Sequence, residues 1–484
     1  MPSDSQKEAL RSLPQVEEFL HHEAIEALTR MLPRDRVCDL ARGIIAEARD
    51  AILAGDATPT DPDELATRVL RRALALERPS LRRVVNASGV VVHTNLGRSV
   101  LPASAASAAT AAACGYSTLE YDCDKQARGS RHDHYEHLAC AITGAEAALA
   151  VNNNAAAVMM VLAEFAAGRD AVISRGELVE IGGSFRVPDI MALSGARMVE
   201  VGTTNKTHLA DYENALDDAT ALLLKVHPSN FRMSGFTESV SVALLRQLAD
   251  KANAERASRL GADAGDVLVY EDLGSGALVD LTLDGYRETT VHDALAEGAD
   301  IVSFSCDKLM GGPQAGLVVG KKRMIERLKQ SPYARVLRLD KMAIAALEAT
   351  LRLYMDEREA RRRIPTLRML TEDAAVVRKR TQDLADAIRE TAPEQALDIR
   401  IEPDVSRAGG GALPMCDIPT FVARIAFSRG SAQDCERFFA TQRAVPIVAR
   451  LNGNCIVLDG RTLLEGDEQE IAQAFREYFE ALEG

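Results

Sequence analysis

The chain has no tryptophan, and aromatic residues make up only 4% of its 484 residues. Stacking a run of bases on an aromatic platform is therefore not expected. Any RNA contact would rely on shape, backbone and helix surfaces. No apolar run approaches the ~20 residues that span a bilayer. The start, Met1-Pro-Ser-Asp-Ser-Gln-Lys7, lacks the apolar core of a secretory signal. The expected location is the cytoplasm, with no membrane contact. The 8 cysteines contain no C-x-x-C pair, so neither a zinc site nor a disulfide framework is signalled. Reduced structural thiols are expected. A net charge of −14 argues against a protein that coats nucleic acid but leaves room for a local basic face.

What is present divides the chain into three parts. Residues 1–78 read as a helical module. Val16, Phe19, Leu20 and Ile25, then Leu40, Ile44, Ile45 and Ala48, recur at helical spacing. The stretch Ala57-Thr-Pro-Thr-Asp-Pro-Asp63 breaks the pattern, with Thr60 or Asp61 as the cap of a helix after Pro62. Residues 79–340 alternate apolar strands with Ala- and Leu-rich helices. The expected strands are Ala147–Val151, Ala171–Ser174, Arg197–Val201, Ala221–Val226, Val267–Tyr270, Ile301–Phe304 and Leu317–Val319. Such alternation predicts a mostly parallel sheet with helices on both faces and a ligand at the strands' carboxyl ends. Residues 341–484 begin with a long helical segment to about Glu390. An α+β domain follows, with Gly409-Gly-Gly411 read as a flexible loop inside it.

Polar motifs follow the strands directly. Ile301-Val302 runs into Ser303-Phe-Ser-Cys-Asp307-Lys308-Leu-Met-Gly311-Gly312, which sets one lysine at a buried strand end. Desolvation there frees an amine to form a Schiff base with a carbonyl cofactor. Asp272 ends another strand, 36 positions before Lys308, in Glu271-Asp-Leu-Gly-Ser-Gly276. A buried carboxylate at such a place can keep a pyridine nitrogen protonated. This order resembles that of pyridoxal-phosphate enzymes with the aspartate-aminotransferase-like fold (fold type I). Val151-Asn-Asn-Asn154-Ala reads as strand, turn and helix start, and makes Asn153, Asn154 and Ala155 the candidate phosphate ligands. Arg98, Arg131, Arg335 and Arg338 sit beside turns or at helical spacing. Gathered together, they would hold a tetrahedral oxyanion as second substrate. His132, His134 and His137 lack partners of metal-ligand spacing, so no metal is expected. Glu177 and Glu180 read as a catalytic pair or, on a helix, as a polar face or caps, and Cys306 as a reactive thiol or a packed small residue.

In sum these motifs resemble bacterial selenocysteine synthase, the L-seryl-tRNA(Sec) selenium transferase family. The resemblance runs in order through Val85-Asn-Ala-Ser-Gly89, His93-Thr-Asn-Leu-Gly-Arg98, Arg128-Gly-Ser-Arg131, Val151–Ala157, Ser174–Arg186, Val201-Gly-Thr-Thr-Asn205, Glu271–Gly276 and Asp307–Gly316. It also takes in the N-terminal Leu13-Pro-Gln-Val16. It implies a fold type I enzyme with an N-terminal helical domain and an α+β C-terminal domain. It further implies pyridoxal 5'-phosphate on Lys308 and an oxyanion site at the four arginines. Asp307 is implied in activity. The implied substrates are serine esterified to tRNA(Sec) and selenophosphate. The N-terminal domain would hold the tRNA, and the assembly would be a homodecamer of five dimers. The alternative is a lyase or transferase of the same fold acting on a free amino acid. Cys306 stands where glycine is expected in most members, and Asn253–Gly265 reads as a variable insertion.

Overall fold

A computed structural model describes residues 3–56, 58–77, 79–180, 186–261 and 265–483. Parts of two sequence motifs, 181–185 and 262–264, lie outside the described residues. The chain forms two compact units, residues 1–83 and 84–484. Among the described residues no helix is long and apolar enough to cross a membrane.

The first unit is helical. Its longest helix, Arg34–Ala54, buries Val37, Ala41, Ile44, Ile45, Ala48 and Ile52 along one stripe and ends at Gly55 in the left-handed region. The stripe packs with Leu65, Ala66, Val69 and Ala73 of helix Pro62–Glu77. Asp61 rather than Thr60 caps that helix, its Oδ2 accepting from Glu64 N at 3.2 Å.

The second unit is built on seven strands: β1 (Ala147–Val151), β2 (Asp170–Ser174), β3 (Arg197–Val201), β4 (Thr220–Val226), β5 (Leu268–Asp272), β6 (Ile301–Ser305) and β7 (Gly316–Gly320). All seven expected strands are present, with bounds shifted by a residue or so. Their order across the sheet is β1-β7-β6-β5-β4-β2-β3. Every strand is parallel to the others except β7, which runs antiparallel to both neighbours. The sheet is covered on both faces. Leu222 and Leu224 enter one apolar cluster and Leu223 the other, as a two-residue period requires. The carboxyl ends of the six parallel strands therefore share one edge with the start of β7. This edge carries the Asn152–Asn154, Glu271-Asp272 and Asp307-Lys308 motifs.

The segment 341–390 is not one long helix. It is four: Lys341–Leu353, Glu357–Arg363, Pro365–Thr371 and Ala374–Thr391. Asp356 and Asp373 cap new starts, and Pro365 cannot continue the helix before it. Beyond lies a four-stranded antiparallel sheet of β8 (Leu397–Ser406), β9 (Ile418–Phe427), β10 (Arg450–Asn452) and β11 (Cys455–Asp459), in the order β8-β9-β11-β10. Phe439, Phe475 and Tyr478 fill its core with helix side chains. Val85–Asn86 pairs with Ile447–Val448 and not with the large sheet.

Candidate active site

Lys308 lies in the loop that joins β6 to β7. Backbone bonds from Cys306 N to Ala315 O (2.9 Å) and from Gly312 N to Cys306 O (2.8 Å) close this loop. The lysine is 6% exposed. Burial lowers its pKa, opposed first by the Asp272 charge. Ser99 fixes the backbone here: its Oγ donates to Lys308 O at 2.6 Å and its N to Asp307 O at 3.2 Å.

Asp272 ends β5 and is also buried. Burial raises its pKa to about 6, against the Asn154 hydrogen bond and the Lys308 charge. Asn154 Nδ2 donates to Asp272 Oδ1 at 2.7 Å. The Asn154 side chain thus serves Asp272, and only its backbone is left for a phosphate. Asn153 caps the helix Asn154–Ala166, its Oδ1 accepting from Ala156 N at 2.9 Å. The N–H groups of Asn154 and Ala155 have no partner within the helix. A Cβ on Gly316 would come within 2.4 Å of Asn153 O, so only glycine lets β7 pass beneath this loop.

Asp307 is held from two sides. Arg98 Nη1 donates to its Oδ2 at 2.7 Å and Ser305 Oγ to its Oδ1 at 2.9 Å. Arg98 has φ 64°, in the left-handed region.

The arginines divide. Arg131, Arg335 and Arg338 line one cavity of about 470 Å³, whereas Arg98 stays with Asp307. Arg131 is engaged by Glu120, and its Nη1 donates to Leu339 O at 2.8 Å. Arg338 bridges the end of β1 at Val151, beside the Asn152–Asn154 turn. Within one chain the four do not form a single pocket.

Glu177 and the Gly409–Gly411 loop have other roles than the sequence suggested. Glu177 is no polar face. It is a buried carboxylate, and Lys225 Nζ (2.5 Å) and Val226 N (2.9 Å) donate to it. Glu180 pairs with Arg186 at 2.6 Å. Gly409-Gly-Gly411 is packed rather than free. All three glycines have positive φ, and a Cβ on Gly410 would meet Val92 Cγ1 at 2.6 Å. A Cβ on Gly411 would lie 3.9 Å from Lys308 Nζ. Cys306 is fully buried, and burial pushes its thiol pKa well up. His132 contacts Tyr135 Oη at 2.7 Å, and His134 and His137 contact backbone carbonyls.

Sequence reasoning missed Glu288. It is completely buried, and burial raises its pKa against a hydrogen bond from Ser275 and the Lys308 charge. His227, a neighbour at 3.9 Å, has an unpartnered Nδ1 and a pKa lowered by burial to about 4. Ser229 Oγ and Asn154 Oδ1 are unpartnered as well. Buried polar atoms without partners are costly, and so many in one neighbourhood mark a place for a polar ligand. The set fits pyridoxal phosphate. A desolvated amine faces its aldehyde chemistry, a buried carboxylate suits the ring nitrogen, and free N–H groups at a helix start suit the phosphate.

Fold and site together define a fold type I pyridoxal-phosphate enzyme. Among solved structures, D-glucosaminate-6-phosphate ammonia-lyase shares this fold, with a TM-score of 0.54 at 22% identity, covering 85% of this chain and 98% of that one. Residues 84–464 match the family model for L-seryl-tRNA selenium transferase, and residues 10–49 match that for the selenocysteine synthase N terminus. The L-seryl-tRNA(Sec) selenium transferase of Maridesulfovibrio salexigens is 46% identical over 472 residues, covering 97% of this chain and 98% of its own. Those of Alkaliphilus oremlandii and Moorella thermoacetica are 44% and 45% identical, covering 96% and 98% of this chain and 97% of each relative. The chain belongs to the L-seryl-tRNA(Sec) selenium transferase family.

Proposed function

We propose that this chain converts seryl-tRNA(Sec) to selenocysteinyl-tRNA(Sec) through a dehydroalanyl intermediate, with selenophosphate as selenium donor. The observation that carries the reading is the buried Lys308 amine beside the Asn154-held Asp272, in a chain that matches the family along nearly its whole length. Bound pyridoxal phosphate supplies an aldehyde for amines and a ring that takes up the electron pair of a broken Cα–H bond.

The chain's own residues do the rest. Lys308, its pKa lowered by burial, holds the cofactor and takes the proton from serine Cα. Asp272 keeps a proton on the ring nitrogen, and Asn154 keeps Asp272 in place. Asn153, Asn154 and Ala155 offer backbone N–H groups to the phosphate. Asp307, fixed by Arg98 and Ser305, stands beside Lys308, and the proton that Lys308 took from Cα leaves with the β-hydroxyl as water. Arg98, Arg131, Arg335 and Arg338 take the oxyanion of selenophosphate. A second copy that set the three-arginine cavity against the Lys308 site would complete that pocket. This agrees with a homodecamer of five dimers working in the cytoplasm. In this reading residues 1–78 hold the tRNA, 79–340 bind the cofactor, and 341–484 form the small domain.

The test is to give the purified protein selenophosphate with seryl-tRNA(Sec) or with free serine. Selenium should become attached to the tRNA-borne residue only. Equal or preferred use of free serine would refute the reading.

A further inference from the structure

Two motifs, Ser174–Glu177 and Val201–Asn205, have no part in the chemistry above. They fold together. Ser174 Oγ and Thr207 Oγ1 lie 2.6 Å apart, and a Cβ on Gly176 would meet Thr204 O at 2.7 Å. With the start of the segment after β4 they enclose a cavity of about 250 Å³, distinct from the arginine cavity.

We propose that this cavity receives the 3'-terminal adenosine nucleotide of the aminoacylated tRNA and so delivers the ester-linked serine to Lys308. The inference rests on the proposed reaction and adds to it the site for the carrier's last nucleotide. Position is the first argument. Pro228 and Pro414 line the cavity. Ser229, next to Pro228, and Gly411, three residues before Pro414, flank Lys308: from a Cβ on Gly411, Ser229 Oγ would be 3.8 Å away and Lys308 Nζ 3.9 Å. A serine ester spans only a few bonds, so its ribose must sit beside the lysine.

Charge is the second argument. Glu177 is answered by Lys225 and Val226 N. Glu238 is met by His208 at 3.0 Å and Lys206 at 3.9 Å. Among the described residues Arg232 has no ion-pair partner, and its guanidinium lies 5.0 Å from the Tyr286 ring centre. A cavity-lining cation without a carboxylate suits a single phosphate. Tyr286, Phe231 and Met233 also line the cavity and offer the apolar surface that one base requires. The volume suits one nucleoside and no longer run, which agrees with the scarcity of aromatics elsewhere.

The experiment uses the cofactor-loaded protein and adenosine 5'-monophosphate as probe, with seryl-tRNA(Sec) as substrate. The probe should bind saturably and compete with seryl-tRNA(Sec). Arg232→Ala should weaken probe binding and raise KM about tenfold, with kcat within about twofold and the melting temperature unchanged. Arg232→Lys should recover part of the loss. If Arg232→Ala does not fold, Tyr286→Leu carries the same test. Normal turnover with no competition and an unchanged KM in these variants overturns the pocket while leaving the reaction standing. Saturable probe binding lost in Arg232→Ala, without any turnover of seryl-tRNA(Sec), overturns the reaction and leaves the pocket.

Discussion

Asp272→Asn should stabilise the cofactor-free protein while disabling the loaded enzyme. The buried Asp272 carboxyl has a pKa raised from 3.8 to about 6, chiefly by burial. Between these values the folded state keeps a proton that the unfolded state has released. Stability therefore falls as pH rises through this window, and the full cost is present above pH ~6. A shift of about two units corresponds to roughly 3 kcal/mol. The amide oxygen of the new asparagine can still accept from Asn154, at a loss of about 1 kcal/mol for the weaker bond. The net gain is about 2 kcal/mol at pH 8, and it disappears below pH ~4, where the carboxyl is neutral in both states. Thermal melts of cofactor-free wild type and variant at pH 4, 6 and 8 read this directly. The variant should melt a few degrees higher at pH 8 and no higher at pH 4. A variant that melts lower at pH 8, or a difference that ignores pH, refutes the reasoning.

Other expectations follow from single contacts. Arg98→Ala releases Asp307 from one of its two holds and should lower kcat at least about tenfold, or ~1.4 kcal/mol, with cofactor absorbance retained; an unchanged kcat contradicts the role given to Asp307. Gly316→Ala forces a Cβ onto Asn153 O and should cost about 1–3 kcal/mol, with weakened cofactor binding in a fluorescence titration. Gly43→Ala, in the helix Arg34–Ala54 with nothing near its Cβ, should instead add about 0.5–1 kcal/mol. A thiol reagent should label the exposed Cys114 and Cys123 in the native protein and reach the buried Cys306 only on unfolding; rapid native labelling of Cys306, read by peptide mass, would contradict its burial.

The large sheet was legible because its inner strands, buried on both faces, carry mostly apolar runs, and turns bound them sharply. Asp272 and Lys308 were legible for the same reason: a charged residue that ends such a run is placed at the ligand edge before any coordinates are known. The reversed direction of β7 was not legible, since alternation of elements does not encode it. Gly411 and Glu288 reach the site through loops whose path is set by distant packing, and no local pattern marks them. Glu177 left one readable trace, Lys225, a lysine inside the buried strand β4 that needs an anionic partner. The arginines show the limit of spacing. Their chemistry could be named, but sequence spacing could not reveal that Arg98 joins Asp307 while the other three line a separate cavity.

The central claim is that Lys308 is the lysine that holds the cofactor. Borohydride reduction of the pyridoxal-phosphate-loaded protein, followed by peptide mass mapping, tests it most directly. The modification should fall on the peptide containing Lys308, and Lys308→Ala should yield none. Attachment at Lys225 or at another lysine, with Lys308 unmodified, would contradict the account.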